Sequence, residues 1–498
     1  MILERVVPVL CEALQSSDDA EILDSAALAL GRIVPGEAAG DAVQVLRKIL
    51  QSRHPTARQS AVLALGICGH RDAIPLLWEL MNDTRKGRAL VRTGGAVANI
   101  DRAFAAVALG FVGRAELVPQ LSRLIERARG KDVEVVGGAV LSLGLIQPDG
   151  PQILPLLMSK LDDSTVDRRI RAQIPITLGR LGEVAGLAVP ALLKLASDRG
   201  ADTDVRRSCV IALGRLSSGS EQEVVSGLRR LIAQENDGLT RHLALIALGR
   251  MGARSLDEDR RDKVGADAIH SYLAGELVDP GRSTDLSWIA LASGLLGGAY
   301  GEGAPERAEL GDLLLSAMRQ TGDPSKQGAL AIALGLLKHV EAGSHLLSVY
   351  QESHDSALKG YLAVGLGLVA HDQAKTALEE DLLSQNDARL RVDVATGLGL
   401  LGDPEAAESL VKLLSETRTF AVTGSVARAL GRIGDHRAVE PLLALIADPN
   451  QSPAVRGFSC VAVGLIAEKT ALPWNAPLSE DSNFAIQSSA QAELLDIF

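Results

Sequence analysis

A short run that reads Leu-Gly-x-apolar recurs along the whole chain of 498 residues. The run occurs thirteen times, and its aligned glycines, here called the column glycines, are Gly31, Gly66, Gly110, Gly144, Gly179, Gly214, Gly249, Gly294, Gly335, Gly367, Gly399, Gly431 and Gly464. Successive column glycines are 32 to 45 residues apart. A period of roughly 20–50 residues, kept over a whole chain, predicts a stack of repeated supersecondary units.

The residues around each column glycine have the spacing of a helix. Leu precedes the glycine in eleven of the thirteen copies, a small residue stands two before it, and an apolar residue stands two after it. This pattern is typical of a helix that is buried on more than one side. Because a glycine inside a helix costs about 0.5–1 kcal/mol relative to alanine, we expect each column glycine to allow the close approach of a neighbouring helix.

Both ends of this helix are marked in the sequence. Seven copies have an Asp twelve residues before the column glycine, where it can cap the first turn: Asp19, Asp167, Asp202, Asp237, Asp323, Asp355 and Asp387. Seven copies have a second glycine three residues after it, which predicts a left-handed helix end: Gly69, Gly113, Gly182, Gly252, Gly297, Gly402 and Gly434. A second apolar helix precedes each of these helices, often with a proline in its first turn. We call the preceding helix of each unit helix A, and the helix with the column glycine helix B.

The full pattern is a capping Asp, a small or branched residue with Arg, and then A-x-x-A-L-G-x-[IL]-G. It is clear in DVRRSCVIALGRL (204–216) and looser in AVRGFSCVAVGLIA (454–467). The pattern resembles the HEAT repeat, in particular the HEAT-like repeat of the phycobilisome-lyase type. The resemblance implies an all-α fold, a right-handed α–α superhelix (a HEAT/armadillo-like solenoid) of about 13 helix pairs. It implies an architecture rather than an activity, because such repeats serve many roles.

We expect one continuous solenoid over residues 1–467, because a solenoid grows by adding units. Three spacings exceed the period and predict insertions that loop out at an edge, near 82–98, 253–265 and 297–305. Residues 468–498 depart from the repeat and are expected to form a C-terminal cap or tail, or else a peptide that docks on a partner. In the cap, the final helices would carry Trp474, Phe484 and Phe498.

Charge is distributed unevenly along the chain. Residues 1–250 hold 31 Lys and Arg against 28 Asp and Glu, a net charge of +3, whereas the remainder holds 20 against 34, a net charge of −14. An acidic second half would repel a phosphate backbone, and only three tryptophans are available for base stacking. These features argue against nucleic-acid binding along the whole length.

The sequence shows no transmembrane run, and its first residues do not read as a signal peptide. We therefore expect no membrane insertion and take the cytoplasm as the default location. Export stays open if a further N-terminal segment precedes this sequence.

A basic residue stands eight positions before the column glycine in eight copies: Arg58, Arg102, Arg171, Arg206, Arg241, Lys359, Arg391 and Arg456. In five copies the capping Asp lies four residues earlier, the spacing of an ion pair on one helix face. The resemblance to the HEAT repeat implies a structural ladder, in which these basic residues pair with the capping Asp of the same or the adjacent repeat. The alternative is a basic ribbon that binds an acidic partner.

Other residues, all but one of them basic, are better candidates for contacts with a partner. One set follows column glycines in consecutive repeats and is expected to line up, and the rest lie in the three insertions, because loops on a rigid scaffold often carry function. The candidates are Arg180, Arg215, Arg250, Arg85, Lys86, Arg88, Arg92, Arg260, Arg261 and Tyr300.

The chain shows no recognisable catalytic or metal-binding motif. Its nine histidines are never followed by Glu, so it lacks the His-Glu ligands of the HEAT-like di-iron hydroxylases, and its four cysteines are far apart. We expect a non-catalytic scaffold that binds protein through its helix-B face and edge loops, with no cofactor, no metal and no small-molecule ligand. The alternative is a HEAT-like lyase or a chromophore-handling or cofactor-handling protein, since some relatives of this repeat act on bilin-carrying proteins. Nucleic-acid binding is a weaker third interpretation.

Overall fold

A computed structural model describes residues 2–467, except 35, 93–94, 128–131, 149–150, 258–261 and 386, together with residues 483 and 486. The chain divides into two compact units. The first unit is Met1–Ala212 with Val439–Phe498, and the second is Leu213–Ala438. All regular elements of the described residues are helical, and no strand occurs among them.

The first unit contains both ends of the chain. Its A helices are α1 (Ile2–Ser16), α3 (Gly40–Ile49), α5 (Ala73–Met81), α8 (Val118–Glu126), α10 (Leu154–Asp162), α12 (Val189–Ser197) and α26 (Val439–Ala447). Its B helices are α2 (Ala20–Ile33), α4 (Pro55–Ile67), α7 (Asn99–Val112), α9 (Val133–Ile146), α11 (Arg168–Arg180) and α27 (Pro453–Ala467). An additional helix, α6 (Arg85–Val91), stands between α5 and α7, and α13 (Thr203–Leu216) begins in this unit and ends in the second.

The second unit continues the alternation. Its A helices are α14 (Gln222–Gln234), α16 (Lys263–Val278), α18 (Pro305–Gln320), α20 (Gly343–Glu352), α22 (Lys375–Ser384) and α24 (Ala406–Glu416). Its B helices are α15 (Gly238–Ser255), α17 (Leu286–Ala299), α19 (Pro324–Leu336), α21 (Ser356–Val369), α23 (Ala388–Leu401) and α25 (Phe420–Ile433). Among the described residues, the 27 helices are therefore thirteen A–B pairs plus α6, which confirms the predicted all-α solenoid of helix pairs.

The predicted aspartate caps are all present. Asp19 accepts a hydrogen bond from the backbone N–H of Glu21 at 3.0 Å, and Asp355 accepts one from Leu358 at 2.8 Å. The other five do the same at the first turns of their B helices. A cap of this kind stabilises a helix by about 1 kcal/mol.

Column glycines lie where one helix B packs on the next. A Cβ added to Gly31 would lie 2.9 Å from the Cβ of Ala64, and one added to Gly214 would lie 2.9 Å from the Cβ of Ala247. Both alanines are the small residue two positions before the next column glycine. Since real Cβ atoms do not approach so closely, a larger side chain at either glycine would force the helices apart.

The last repeat packs on the first. A Cβ added to Gly464 of α27 would lie 2.9 Å from the Cβ of Ala29 in α2. On the A helices, Arg5 of α1 donates to Glu440 of α26 at 2.7 Å. The C-terminal repeat therefore occupies the place that a preceding repeat would have relative to the first.

Two of the predicted helix ends are wrong. Gly252 lies inside α15, which runs on to Ser255, and Gly297 lies inside α17, which runs on to Ala299. Each glycine instead allows close packing, because an added Cβ would lie 2.9 Å from Cδ1 of Leu296 or 2.5 Å from Cδ1 of Leu337. The other five predicted glycines do end their helices, with φ between 60° and 70°.

This continuation of the helices changes the two insertions near 253–265 and 297–305. Much of their extra length lies in α15, of 18 residues, and in α16 and α18, of 16 residues each. The connections between these helices are short, at 256–262 and 300–304. Six of the thirteen residues 253–265 and four of the nine residues 297–305 therefore belong to helices.

Candidate functional site

The insertion near 82–98 folds into helix α6, which lies directly on helix α5. The hydroxyl of Thr84 accepts a hydrogen bond from the N–H of Gly87 at 3.0 Å and caps α6. A Cβ added to Gly87 would lie 2.6 Å from the carbonyl carbon of Glu79, so only glycine permits this contact. Leu90 and Val91 are buried beneath the helix. We call residues 83–92 the α6 platform.

An aspartate ties the α6 platform together. The Oδ1 and Oδ2 atoms of Asp83 accept hydrogen bonds from Nε and Nη2 of Arg88, at 2.9 and 2.6 Å. Asp83 also accepts one from the N–H of Val97 at 2.7 Å. The bonds from Arg88 lower the pKa of Asp83 to about 2. The carboxylate therefore stays ionised and fixes both ends of the insertion.

The α6 platform displays four cations to solvent: Arg85, Lys86, Arg88 and Arg92. Arg88 is paired with Asp83, whereas the other three form no ion pair with any residue that the structure describes. An open cavity of about 440 Å³ adjoins them, lined by Arg88, Ala89, Arg92, Gly95 and Ala96. The platform is therefore a rigid, basic surface next to a depression.

The other predicted contacts differ in their exposure. Arg180 is only 6 % exposed, and its Cδ would lie 3.1 Å from a Cβ added to Gly144. Arg215 and Arg250 are half-buried. The position after the column glycine faces the neighbouring helix B. The side chain of Arg180 therefore packs over Gly144, and its charge is not exposed to solvent. The alignment of the three arginines stays a prediction.

Tyr300 is also placed differently from the expectation of an edge contact. It is 5 % exposed, and its ring meets that of His270 edge-on, with the ring centroids 5.9 Å apart. Tyr300 follows the last residue of α17, so the continuation of this helix brings it into the packed interior. Arg260 and Arg261 lie outside the described residues.

The column of basic residues eight positions before the column glycine has a structural role. The Nε–H of Arg171 donates to the carbonyl of Leu161 at 2.9 Å, at the end of helix A in the same repeat. Four further arginines of this column bond in the same way, Arg102, Arg206, Arg391 and Arg456. Carbonyl groups at a helix end have no partner within the helix, and these arginines supply one.

This bonding replaces one ion pair of the expected ladder. Asp167, the capping residue four positions before Arg171, pairs with Arg169, whose Nε lies 3.1 Å from Oδ1. The side chain of Asp167 also faces the first turn, where it accepts from the N–H of Arg169. The structural interpretation of the basic column therefore holds, through bonds to carbonyl groups of helix A and, at Arg102 and Arg241, through ion pairs with Asp132 and Asp285 before the B helix of the adjacent repeat.

A buried ionic cluster joins α15 to α17 and was missed in the sequence. Nη2 of Arg241 and Nε2 of His242 each lie 3.1 Å from Oδ1 of Asp285, which is 4 % exposed. The His242 ring stacks on Trp288, with the centroids 4.8 Å apart. Burial raises the pKa of Asp285, but the hydrogen bonds from Arg241 and His242 outweigh burial and hold the pKa below its usual value.

Among the described residues, no group of three His, Cys, Asp or Glu side chains is placed to hold a metal ion. Within the same residues, no helix is long and apolar enough to span a bilayer. Cys68, Cys209 and Cys460 are buried, and burial raises the pKa of the Cys460 thiol to about 12. The thiols of the B helices therefore pack as small apolar groups.

Comparison with known proteins agrees with this architecture. The family described as HEAT repeats matches residues 5–94, 154–249 and 376–452, just over half of the chain. No curated protein sequence matches this chain.

The solved structures that match this chain have low sequence identity to it. The crystal structure of importin beta in a polyethylene glycol condition is 13 % identical and covers 93 % of this chain and 69 % of its own, with a TM-score of 0.45. That of Kap121p is 14 % identical and covers 92 % of this chain and 58 % of its own, with a TM-score of 0.42. Human deoxyhypusine hydroxylase in complex with glycerol is 17 % identical and covers 60 % of this chain and 96 % of its own, with a TM-score of 0.25. This chain thus spans less than two thirds of the Kap121p chain.

Proposed function

Because this chain belongs to the HEAT-repeat family, we propose that it is a non-catalytic scaffold that binds protein partners through its edge insertions and helix-B face. The α6 platform is its contact for an acidic segment of a partner. One observation carries this proposal: a folded insertion displays Arg85, Lys86 and Arg92 to solvent with no ion pair among the described residues.

The insertion is an addition to the repeat, which elsewhere consists of an A–B pair alone. Its contacts with α5 hold it in place. A single exposed ion pair contributes little free energy, but several like charges on one rigid helix steer an oppositely charged partner and select against others.

The platform fits an acidic peptide better than a nucleic acid. Helix α6 has seven residues and is about 10 Å long, which matches three or four carboxylates of an extended segment. A nucleic acid would extend beyond the platform over residues 1–250, whose net charge is only +3, so most of its phosphates would find no matching cation.

The proposal is tested with a fluorescent peptide of six glutamates, by anisotropy at low and physiological salt. We expect saturable binding that weakens as the salt concentration rises. The variant Arg85→Glu/Lys86→Glu/Arg92→Glu should have at least tenfold lower affinity for the peptide. The matched control is Arg47→Glu/Lys48→Glu/Arg71→Glu, which makes the same change of charge at exposed residues elsewhere.

Equal losses in both triple variants would contradict the proposal, because they would show that only net charge matters. An absence of peptide binding by the wild-type chain would also contradict it. Tighter, α6-dependent binding of a DNA oligonucleotide of equal charge would favour a nucleic-acid partner instead.

A further inference from the structure

The cavity beside the α6 platform brings side-chain and backbone donors together. It has a volume of about 440 Å³ and is lined by Arg88, Ala89, Arg92, Gly95 and Ala96. The charged residues of this lining are two arginines, and the other three residues are small. The lining therefore combines positive charge with open space.

Arg88 is held in place but keeps part of its guanidinium group available. Its Nε and Nη2 atoms donate to Asp83, so the two N–H groups of Nη1 remain, and no residue that the structure describes accepts from them. The side chain is 52 % exposed. A ligand that binds to Arg88 therefore meets donors that are already positioned, which lowers the entropic cost of binding.

Arg92 adds a second positive charge to the same cavity. It ends helix α6 in the left-handed conformation, with φ of 49°, and its N–H donates to the carbonyl of Arg88 at 3.2 Å. It forms no ion pair with any described residue. The two guanidinium groups repel each other, and an anion bound between them would relieve this repulsion.

Gly95 and Ala96 contribute backbone donors to the cavity. Both residues are exposed, and their N–H groups donate to no residue that the structure describes. The next residue is fixed, because the N–H of Val97 donates to Oδ1 of Asp83 at 2.7 Å and Val97 is only 3 % exposed. Asp83 therefore holds the guanidinium of Arg88 and the backbone after Ala96 next to each other.

A phosphate group fits this set of donors better than a carboxylate does. A phosphomonoester carries a charge of about −1.5 to −2 at pH 7 and has three terminal oxygens, whereas a carboxylate has one charge and two oxygens. Arginine pairs with phosphate through two parallel N–H bonds, and backbone N–H groups of loops also bind phosphate. Three oxygens can accept from both arginines and from the backbone at the same time.

We propose that the acidic segment bound by the α6 platform contains a phosphorylated serine or threonine, whose phosphate enters this cavity. There the phosphate accepts hydrogen bonds from Arg88, Arg92 and the N–H groups of Gly95 and Ala96. This inference rests on the proposed function, because it names the group that the partner presents to the platform. A peptide is favoured over a lipid headgroup, because no residue of the platform, all of which the structure describes, exposes a large apolar side chain that would insert into a bilayer.

The test compares two fluorescent peptides of nearly equal charge at physiological salt, by anisotropy on the full chain. One is the peptide of six glutamates, and the other has one phosphoserine between two pairs of glutamates. We expect the phosphopeptide to bind at least about tenfold more tightly than hexaglutamate, since it gains charge-assisted hydrogen bonds in the cavity. The same peptide with unmodified serine should bind more weakly than both.

Two variants locate the phosphate. Arg92→Lys keeps the charge but removes the planar fork of donors, and Ala96→Pro removes one backbone N–H. Each should remove most of the preference for the phosphopeptide and change the affinity for hexaglutamate by less than about twofold. The matched control is Arg85→Lys, on the same helix but outside the cavity lining, which should keep the preference.

Equal affinity of the wild-type chain for the phosphopeptide and hexaglutamate would overturn this inference and leave the proposed function in place. A preference for the phosphopeptide that survives in both Arg92→Lys and Ala96→Pro would also overturn it. Failure of both peptides to bind would contradict the proposed function itself. Arg92-dependent binding of phosphatidic acid vesicles that the phosphopeptide does not displace would replace the peptide by a lipid.

Discussion

Gly464 in the last repeat lies against Ala29 in the first repeat in the same way that Gly31 lies against Ala64 one repeat further along. In each case an added Cβ would lie 2.9 Å from the Cβ of the alanine. Helix α2 is therefore covered by α27 on one side and by α4 on the other. The terminal repeats of a stack normally need a polar or capped outer face, and here this face of the first repeat is packed.

Replacement of a column glycine by leucine should destabilise the chain. Leucine gains about 0.8 kcal/mol of helix propensity over glycine, but overpacking at Gly464 or Gly214 costs about 1–3 kcal/mol or more. Urea unfolding followed by circular dichroism should show lower midpoints for both variants. Gly137→Leu is the control, since an added Cβ there meets nothing within 4 Å, and its midpoint should rise. A fall of similar size in all three variants would refute the packing role of the column.

Removal of Arg241 should cost far more than removal of an exposed arginine. Arg241→Ala leaves the buried carboxylate of Asp285 without its strongest partner, a loss of about 3 kcal/mol or more in the free energy of unfolding. Arg53→Ala breaks an exposed pair with Asp18 and should cost under about 1 kcal/mol. Urea unfolding of both variants checks the difference, and equal costs would be inconsistent with a structural ionic cluster.

Asp24 makes stability depend on pH in a direction opposite to most carboxylates. Burial raises its pKa from 3.8 to about 6, and the nearby Thr56 and Ser60 only partly offset this. The folded state then binds more protons than the unfolded state between about pH 4 and pH 6, so this group's contribution to stability falls as pH rises through that window.

Asp24→Asn should therefore stabilise the chain at pH 7.5 by about 1–3 kcal/mol and have little effect at pH 4. Urea unfolding at the two pH values measures the difference. Asp41→Asn, at an exposed position, is the control for the loss of one negative charge. If Asp24→Asn raised the free energy of unfolding by the same amount at both pH values, this role for Asp24 would be disproved.

Gly87 links the fold of the insertion to its proposed function. Gly87→Val should lift α6 from α5, because the added side chain would collide with the carbonyl of Glu79. We expect faster hydrogen exchange in residues 85–91 and weaker binding of the acidic peptide, with the global unfolding midpoint nearly unchanged. Ala89→Val is the matched control, since Ala89 is exposed on the same helix. Normal peptide binding by Gly87→Val would contradict the proposal that the acidic peptide needs α6 to lie on α5.

Local rules in the sequence predict much of this fold. The aspartate caps and five of the seven helix-ending glycines follow from residues within one or two turns of each other. The same rule fails at Gly252 and Gly297, because a glycine near a helix end can serve either a left-handed turn or close packing. Only the position of the neighbouring Leu296 or Leu337 decides between these roles.

Features that depend on distant partners could not be predicted. The basic column was expected to pair with the capping aspartates of the same or the adjacent repeat, as Arg102 does with Asp132, but the bond from Nε–H to a free carbonyl of helix A, as at Arg171, was not predicted. The four cations of the insertion were recognised from the sequence, but not the helix that displays them, which depends on contacts of Gly87 and Asp83 with other elements. The packing of the last repeat on the first could not be predicted from the sequence. All thirteen copies carry the same pattern, so the pattern does not show that the first and last copies are neighbours.

Cross-linking of Arg5→Cys to Glu440→Cys tests the packing of the last repeat on the first most directly. Both side chains are more than half exposed and in contact, so the substitutions leave the packed interior unchanged. With a short bismaleimide at low protein concentration, we expect one intramolecular product that joins the peptides around positions 5 and 440, and none in urea. Efficient labelling of both cysteines without a cross-link in the folded chain would contradict the contact between the first and last repeats.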